Sequence, residues 1–423
     1  MKKKLHIFWI VSILNLTMGF SQETFKVMFY NLLNFPLEEA VPNRLDYLET
    51  ILSDYNPDIF MVCELNNVFG ANAILQLIQD RVNPNFEMAT FELNTSDDSI
   101  GNQNDLQNLI YYDASKFILE NQTIVTTLFR DFNHYELKLN TVDQATNPVY
   151  LHTIVCHLKA SSGSENQALR LQMAQDLTAY LNSFPSDSNV ILAGDFNVYT
   201  SSEGAFQEFI NPSNTIPFND PANRIGSWHN NSSYVDVFTQ STRTQTGMGG
   251  TTGGFDDRFD FIMTSNNIMT DNNLKYVDGS YQVFGNNGNI NCYNQAINDS
   301  ECSGSDFSFE IRNALHSFSD HLPVTIQIET DQSLLNIEEY QYVSGIKIVG
   351  SNVINDNLTL KINNQIDSKD ELVIYNSLGQ KVKVLKPNNK QVISVSCGNL
   401  SNGIYYLKTK TNRIIPIKFI KVN

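Results

Sequence analysis

The sequence predicts a layered α/β body with antiparallel strand pairs, followed by a small all-β unit. Three observations predict it. Apolar strand-like runs alternate with amphipathic helical stretches through the first 330 residues. Several of those runs end abruptly in a polar residue. Beyond residue 345 only short β-like runs remain, and the charge changes sign, from −22 over residues 1–330 to +5 over residues 331–423.

Residues 1–22 read as a secretory signal peptide: three lysines, an apolar core shorter than a bilayer needs, then small residues. No later stretch is apolar and long enough for a stable membrane span. Residues 25–34 form a first strand ending near Asn31, and residues 44–55 carry apolar side chains at helical spacing. Ile59 to Cys63 make a buried strand closed by Glu64. A carboxylate there needs either a cationic side chain or a bound cation. A helix over 71–82 and strands over 86–91, 106–112, 117–127, 134–140 and 149–157 follow, the last delivering His157. Residues 164–183 predict a helix capped by Ser164.

The run NVILAGDFN at 189–197 is the most pointed stretch. An apolar strand breaks at Gly194 and presents Asp195 and Asn197, which share a side in an extended chain. A short helix over 203–210 follows, and the Gly- and Thr-rich segment 246–254 lacks the lysine and following helix of a phosphate-binding P-loop, so it is read as a mobile rim loop. Residues 258–263 predict a strand with Asp260 between two phenylalanines, a costly position without a partner. Residues 278–318 are long and rich in Asn and Gly, and Asp320-His321 then precedes a last strand at 324–328. Of five cysteines, Cys63 and Cys156 read as core residues, and Cys292 and Cys302 share a polar loop in an exported chain, where a disulfide is expected. Residues 331–345 read as a linker and 346–423 as a β-rich domain.

Taken together, YNLLN at 30–34, PDIFMVCEL at 57–65, HLK at 157–159, GDFN at 194–197, RFDFI at 258–262 and SDHLP at 319–323 resemble the endonuclease/exonuclease/phosphatase superfamily, which includes deoxyribonuclease I-like enzymes. The resemblance covers about residues 25–329. It implies a four-layer αββα sandwich, two central mixed sheets flanked by helices, in a catalytic domain at 23–330. By position it makes Glu64, Asp320 and Asn31 the metal set. Asp195 orients or deprotonates the attacking water, Asn197 contacts phosphate, and His321 is the catalytic histidine aligned by Asp260. His157 resembles a second, substrate-binding histidine of the deoxyribonuclease-like branch, whose carboxylate partner has no clear counterpart here; Asn108 or Tyr111 stands nearest in the strand order.

Those roles imply a divalent-metal-dependent phosphoester hydrolase. Few-carboxylate ligation suits Mg²⁺, with Mn²⁺ or Ca²⁺ as alternatives; Zn²⁺ would want more His or Cys. DNA or RNA is the expected substrate. The alternatives are a sphingomyelinase-like or phosphomonoesterase activity, or a non-enzymatic adhesin on the same scaffold. The acidic body repels a phosphate backbone in general, so nucleic acid must be gripped at a local metal site. NVINDNLTL from 352, LVIYNSLGQKV from 372 and LSNGIYYLK from 400 resemble the type IX secretion C-terminal sorting domain. That implies a Gram-negative exporter, engagement of the outer-membrane secretion machinery, and a secreted or cell-surface product. The alternative for the tail is a small carbohydrate-binding sandwich. A monomer is expected.

Overall fold

Strand and helix periodicities in the sequence become two packed sheets with helices outside them. The structure, a computed structural model, describes residues 23–96, 106–270, 273–335, 346–362, 371–386, 392–409 and 416–422. The expected signal peptide and residues 336–345 of the expected linker lie outside the described residues. The chain parts into two compact units between Leu335 and Asn336.

The first unit runs β1 (Glu23–Phe35), α1 (Arg44–Tyr55), β2 (Ile59–Leu65), α2 (Val68–Arg81), β3 (Phe86–Met88), β4 (Gln107–Asp113), β5 (Phe117–Val125), β6 (Phe132–Leu139), β7 (Tyr150–His157), α3 (Ser164–Leu181), β8 (Val190–Asp195), α4 (Gly204–Phe209), β9 (Phe218–Asn219), β10 (Asp260–Ser265), α5 (Asn266–Thr270), β11 (Lys275–Tyr276), β12 (Gln282–Val283), α6 (Phe309–Phe318) and β13 (Val324–Thr330). One sheet is ordered β11-β13-β1-β2-β4-β3, with β12 also on β13; the other is ordered β5-β6-β7-β8-β10-β9. Both are mixed, with β1 parallel to β2 and β7 parallel to β8. The sheets face each other through β1, β2 and β4 against β7, β8 and β10. Their inner side chains, among them Phe29, Met61, Val155 and Leu192, form one apolar core. Helices α1, α2 and α6 cover the first sheet, where the Tyr55 hydroxyl donates to the Val27 and Ile326 carbonyls. Helices α3 and α4 lie on the second. This is the αββα arrangement expected.

Four expectations change in detail. Strand β8 does not break at Gly194 but pairs on through Asp195. Gly194 is required by close approach: a Cβ there would lie 2.4 Å from both the carbonyl oxygen and Sγ of Cys156. Gly194→Ala is expected to cost about 1–3 kcal/mol or more by overpacking, read as a lower urea midpoint. Gly163 rather than Ser164 occupies the α3 N-cap, because its φ of 99° turns the chain one residue earlier. The Asn- and Gly-rich stretch hides a whole helix, α6, whose Ser308 side chain accepts the Ile311 amide. The segment 246–254 is fastened rather than loose. Arg243 Nη1 donates to the Met248 and Gly249 carbonyls at 2.9 and 3.1 Å, and the Thr251 amide donates to Asp320 at 2.6 Å. Cys292 and Cys302 are joined in a disulfide, while Cys63, Cys156 and Cys397 are buried thiols.

The second unit contains β14 (Ile346–Ile348), β15 (Val353–Ile354), β16 (Asn357–Ile362), β17 (Leu372–Asn376), β18 (Lys381–Leu385), β19 (Val392–Ser396), β20 (Gly403–Thr409) and β21 (Ile417–Lys421). A three-stranded sheet β14-β16-β19 and a five-stranded sheet β15-β21-β20-β17-β18 enclose Leu358, Leu360, Leu372, Ile374, Leu407 and Phe419. Tyr405 is in this core, stacked on Phe419.

Candidate active site

Register alone assembles half the site. His157 on β7 stands directly beside Asp195 on β8, and Asp195 directly beside Asp260 on β10. Residues in one cross-strand row project to the same face, so the second sheet carries one imidazole and two carboxylates in a row, with Asp195 in the middle. The first sheet supplies the other half. Asn31 on β1 pairs with Cys63 on β2, next to Glu64. Register shifts in both ladders interrupt the pairing there. Glu64 itself has a φ of 57°, a strained value for a glutamate. The irregularity turns its carboxylate inward: Oε2 accepts the Asn34 amide at 2.9 Å and Oε1 accepts Asn31 Nδ2 at 3.0 Å. His321, just ahead of β13, completes the set.

Two polar links cross between the sheets. Asn31 Nδ2 reaches Asp195 Oδ2 at 3.1 Å as well as Glu64. His321 Nδ1 lies 2.7 Å from Asp260 Oδ2. Around them, His157 Nε2 lies 3.6 Å from Asp195 Oδ2 and 3.9 Å from Glu64 Oε1. His321 Nε2 lies 3.8 Å from the same Asp195 oxygen. Asn197, with a φ of 52°, sends its amide to Asp195 Oδ1 at 3.0 Å and Nδ2 to the Leu158 carbonyl at 3.3 Å. Ligand atoms of Glu64, His157 and Asp195 lie within 4.8 Å of one another, as do those of Asp195, Asp260 and His321.

Electrostatics separate the two histidines. Burial opposes a charge on His321, but Asp260, then Asp320 and Asp195, outweigh it and hold the ring well above its ordinary value. His157 goes the other way. Burial pushes it well below its ordinary value, and Arg130, His321 and Lys159 add to the shift. The pair therefore offers one cationic and one neutral imidazole. Burial pushes the Asp195 carboxyl up to about 8; His321 opposes this, and Asp260 and Glu64 add to it. Glu64 is raised by burial and then by Asp320, against His321 and its Asn31 bond. A buried carboxylate and a half-buried one sharing one amide proton donor, both reluctant to ionise, are what a divalent cation would relieve. The donor set fits a hard cation with one imidazole beside it.

Of the expected metal set, Glu64 is placed with Asp195 and His157. Asn31 turns its amide nitrogen, not its oxygen, toward the carboxylates; its oxygen accepts the Leu33 amide at 3.0 Å. It acts as a spacer between them. Asp320 stands one step away: its Oδ2 accepts the Thr251 amide, and its Oδ1 has no hydrogen-bond partner among the described residues. Neither suggested partner reaches His157. The Tyr111 hydroxyl donates outward to the Ala71 carbonyl, and Asn108 Nδ2 serves Asp131, Asn133 and Val155. His157 Nδ1 is buried without a hydrogen-bond partner among the described residues.

Three residues escaped the sequence reading. The Thr239 hydroxyl accepts the Asp260 amide at 3.1 Å. The Ser319 hydroxyl donates to the Asn31 carbonyl at 2.8 Å and accepts the His321 amide at 3.1 Å. Gln240 Nε2 lies 2.6 Å from His321 Nε2. Ser319 had a signal, its place in the SDHLP run; the other two sit in a polar stretch with none.

An αββα body with a buried carboxylate–histidine cluster across its two sheets is the scaffold of a metal-assisted phosphoester hydrolase. The chain belongs to the endonuclease/exonuclease/phosphatase family, whose sequence profile it matches over residues 28–321. Residues 352–422 match the secretion system C-terminal sorting domain, which marks the protein for type IX export from a Gram-negative bacterium. None of the curated proteins matches the chain. Solved structures with a similar fold include the human Nocturnin catalytic domain with bound sulfate, 17% identical over 72% of this chain and 94% of that one, with a TM-score of 0.45. D. rerio TDP2 complexed with a single-stranded DNA product is 15% identical over 73% and 99%, at 0.45. The mannosyl-6-phosphatase Bt3783 of Bacteroides thetaiotaomicron is 14% identical over 72% and 99%, at 0.43. Among the described residues, no helix is long and apolar enough to cross a membrane.

Proposed function

We propose that this protein is a secreted, Mg²⁺-dependent phosphodiesterase acting on DNA or RNA, with residues 23–330 as its catalytic domain. The observation that carries the reading is the meeting of Glu64, Asp195, Asn31 and His321 around one point between the sheets. Glu64 and Asp195 would hold the cation, with His157 beside them. Mg²⁺, with Mn²⁺ or Ca²⁺ as substitutes, supplies charge stabilisation to phosphoryl oxygens when bound. Asp195 would orient a water and take its proton. His321, held by Asp260, presents Nε2 to the phosphoryl group. Asn197 offers its amide beside Asp195.

The named site residues all come from one chain, and we read the protein as a monomer. A second reading, a small or lipid phosphate ester, draws support from the −22 charge of the body, which disfavours a long polyanion.

One experiment tests these readings. The full-length protein is incubated with plasmid DNA, RNA, a chromogenic diester, a chromogenic monoester and sphingomyelin vesicles, each with Mg²⁺, Mn²⁺, Ca²⁺ or EDTA. Nucleic-acid and diester cleavage that needs Mg²⁺ and stops with EDTA is expected. Turnover unaffected by EDTA overturns the metal mechanism, and turnover of the monoester or lipid alone overturns the substrate.

A further inference from the structure

The polar segment around Gln240 runs beside the segment that carries His321. Thr239 and Thr242 bond to Leu322 and Asp320 at 2.7 and 3.1 Å, and Gln240 and His321 form a bridge pair. The Gln240 backbone is locked on its other side: its amide donates to the Asp257 carbonyl at 3.0 Å, and its carbonyl accepts the Asp256 and Asp257 amides at 3.0 and 2.8 Å. From this fixed backbone the side chain runs into the site. Its carboxamide nitrogen ends 2.6 Å from His321 Nε2 and 3.5 Å from Asp320 Oδ2.

That contact is chemically significant. His321 has two ring nitrogens, and Nδ1 is taken by Asp260. Nε2 is thus the atom left to act on a substrate. A carboxamide suits either state of this nitrogen. It donates to a bare Nε2 through its NH₂ or, turned over, accepts from Nε2–H through its oxygen. Either way it fills the position where a bound phosphoryl oxygen would sit.

We propose that Gln240 is a resident occupant of the His321 Nε2 position, which the phosphoryl oxygen of the substrate must displace. The proposal rests on the reading of His321 as the group that meets the phosphoryl oxygen. It makes Gln240 a positioning residue that lowers apparent affinity, because the binding-competent arrangement is only a fraction of the free protein. In its absence Nε2 would keep only the longer approaches of Asn31 Nδ2 at 3.5 Å and Asp195 Oδ2 at 3.8 Å, and a ligand oxygen would gain a close bond without displacing one.

The test is Gln240→Met, which keeps length and volume but removes both polar atoms. Gln240→Ala serves as a second variant in case the methionine crowds the site. Inorganic phosphate is titrated calorimetrically into the full-length proteins with Mg²⁺ present, and KM and kcat are measured on the chromogenic diester. Phosphate affinity should rise about 3- to 10-fold in at least one variant, with a matching fall in KM. Mere structural damage would weaken binding, so tighter binding separates the two. Unchanged or weaker phosphate binding in both variants overturns the proposal. His321→Ala is the control. If it weakens phosphate binding while the Gln240 variants do not tighten it, only the role of Gln240 falls; if it leaves binding and turnover intact, the role of His321 falls as well.

Discussion

His321→Ala will lower kcat on the preferred ester by about 10²- to 10⁴-fold, and because it strips the buried Asp260 carboxylate of its partner it will also cost about 3–5 kcal/mol of fold stability. The ring is almost wholly buried, yet it is held as a cation because Asp260, itself fully buried, lies 2.7 Å from Nδ1. Asp260 is fully buried, and its Oδ1 has no hydrogen-bond partner among the described residues. Its charge is therefore spent almost entirely on His321. A buried donor of this kind acts in a low-dielectric place, where fixed positive charge is worth far more than in water. Asp260→Asn should lose nearly as much, because the amide cannot hold the ring charged. The double variant should lose little beyond the worse single, since the two act as one unit. Steady-state rates of the four proteins check this; full additivity of the two losses would show that they work separately.

Asp195→Asn will cost a similar factor and will also raise the Mg²⁺ concentration needed for half-maximal rate. The carboxylate is a hub. One oxygen accepts from Asn31 Nδ2 and the other from the Asn197 amide, while His157 and His321 flank it within 3.6 and 3.8 Å. The asparagine keeps the size and one acceptor but loses the charge and the ability to take a proton from water. A loss of about 10²- to 10⁴-fold in kcat is expected from the missing base. The metal dependence is the distinguishing readout: a Mg²⁺ titration unchanged from the parent would remove Asp195 from the cation site and leave it a base alone.

Much of this site was legible before any coordinates. Glu64, His157, Asp195 and Asp260 each sit at the end of an apolar run, and a polar group terminating a buried strand stands out against the strand period. Two sheets follow from the same runs, because strands buried on both faces need layers on both sides. Gln240 was illegible for the opposite reason. Thr239, Gln240, Ser241, Thr242 and Arg243 are all buried yet polar, satisfied by backbone bonds that leave no hydrophobic trace. The α6 helix was masked by the Asn-rich approach to it, although Ile311, Leu315 and Phe318 fall at helical spacing. The inward turn of Glu64 depends on two ladder irregularities, which a strand pattern with a period of two does not encode.

The pairing of β1 with β13 has a consequence for the protein's birth. The opening strand of the body lies between β2 and β13, and β13 is among the last segments of the body to be made. A ribosome that has delivered everything up to residue 318 has built neither His321 nor the neighbour that β1 requires. The carboxylate–histidine cluster is thus incomplete through nearly all of the body's translation, and it closes only as the first sheet closes.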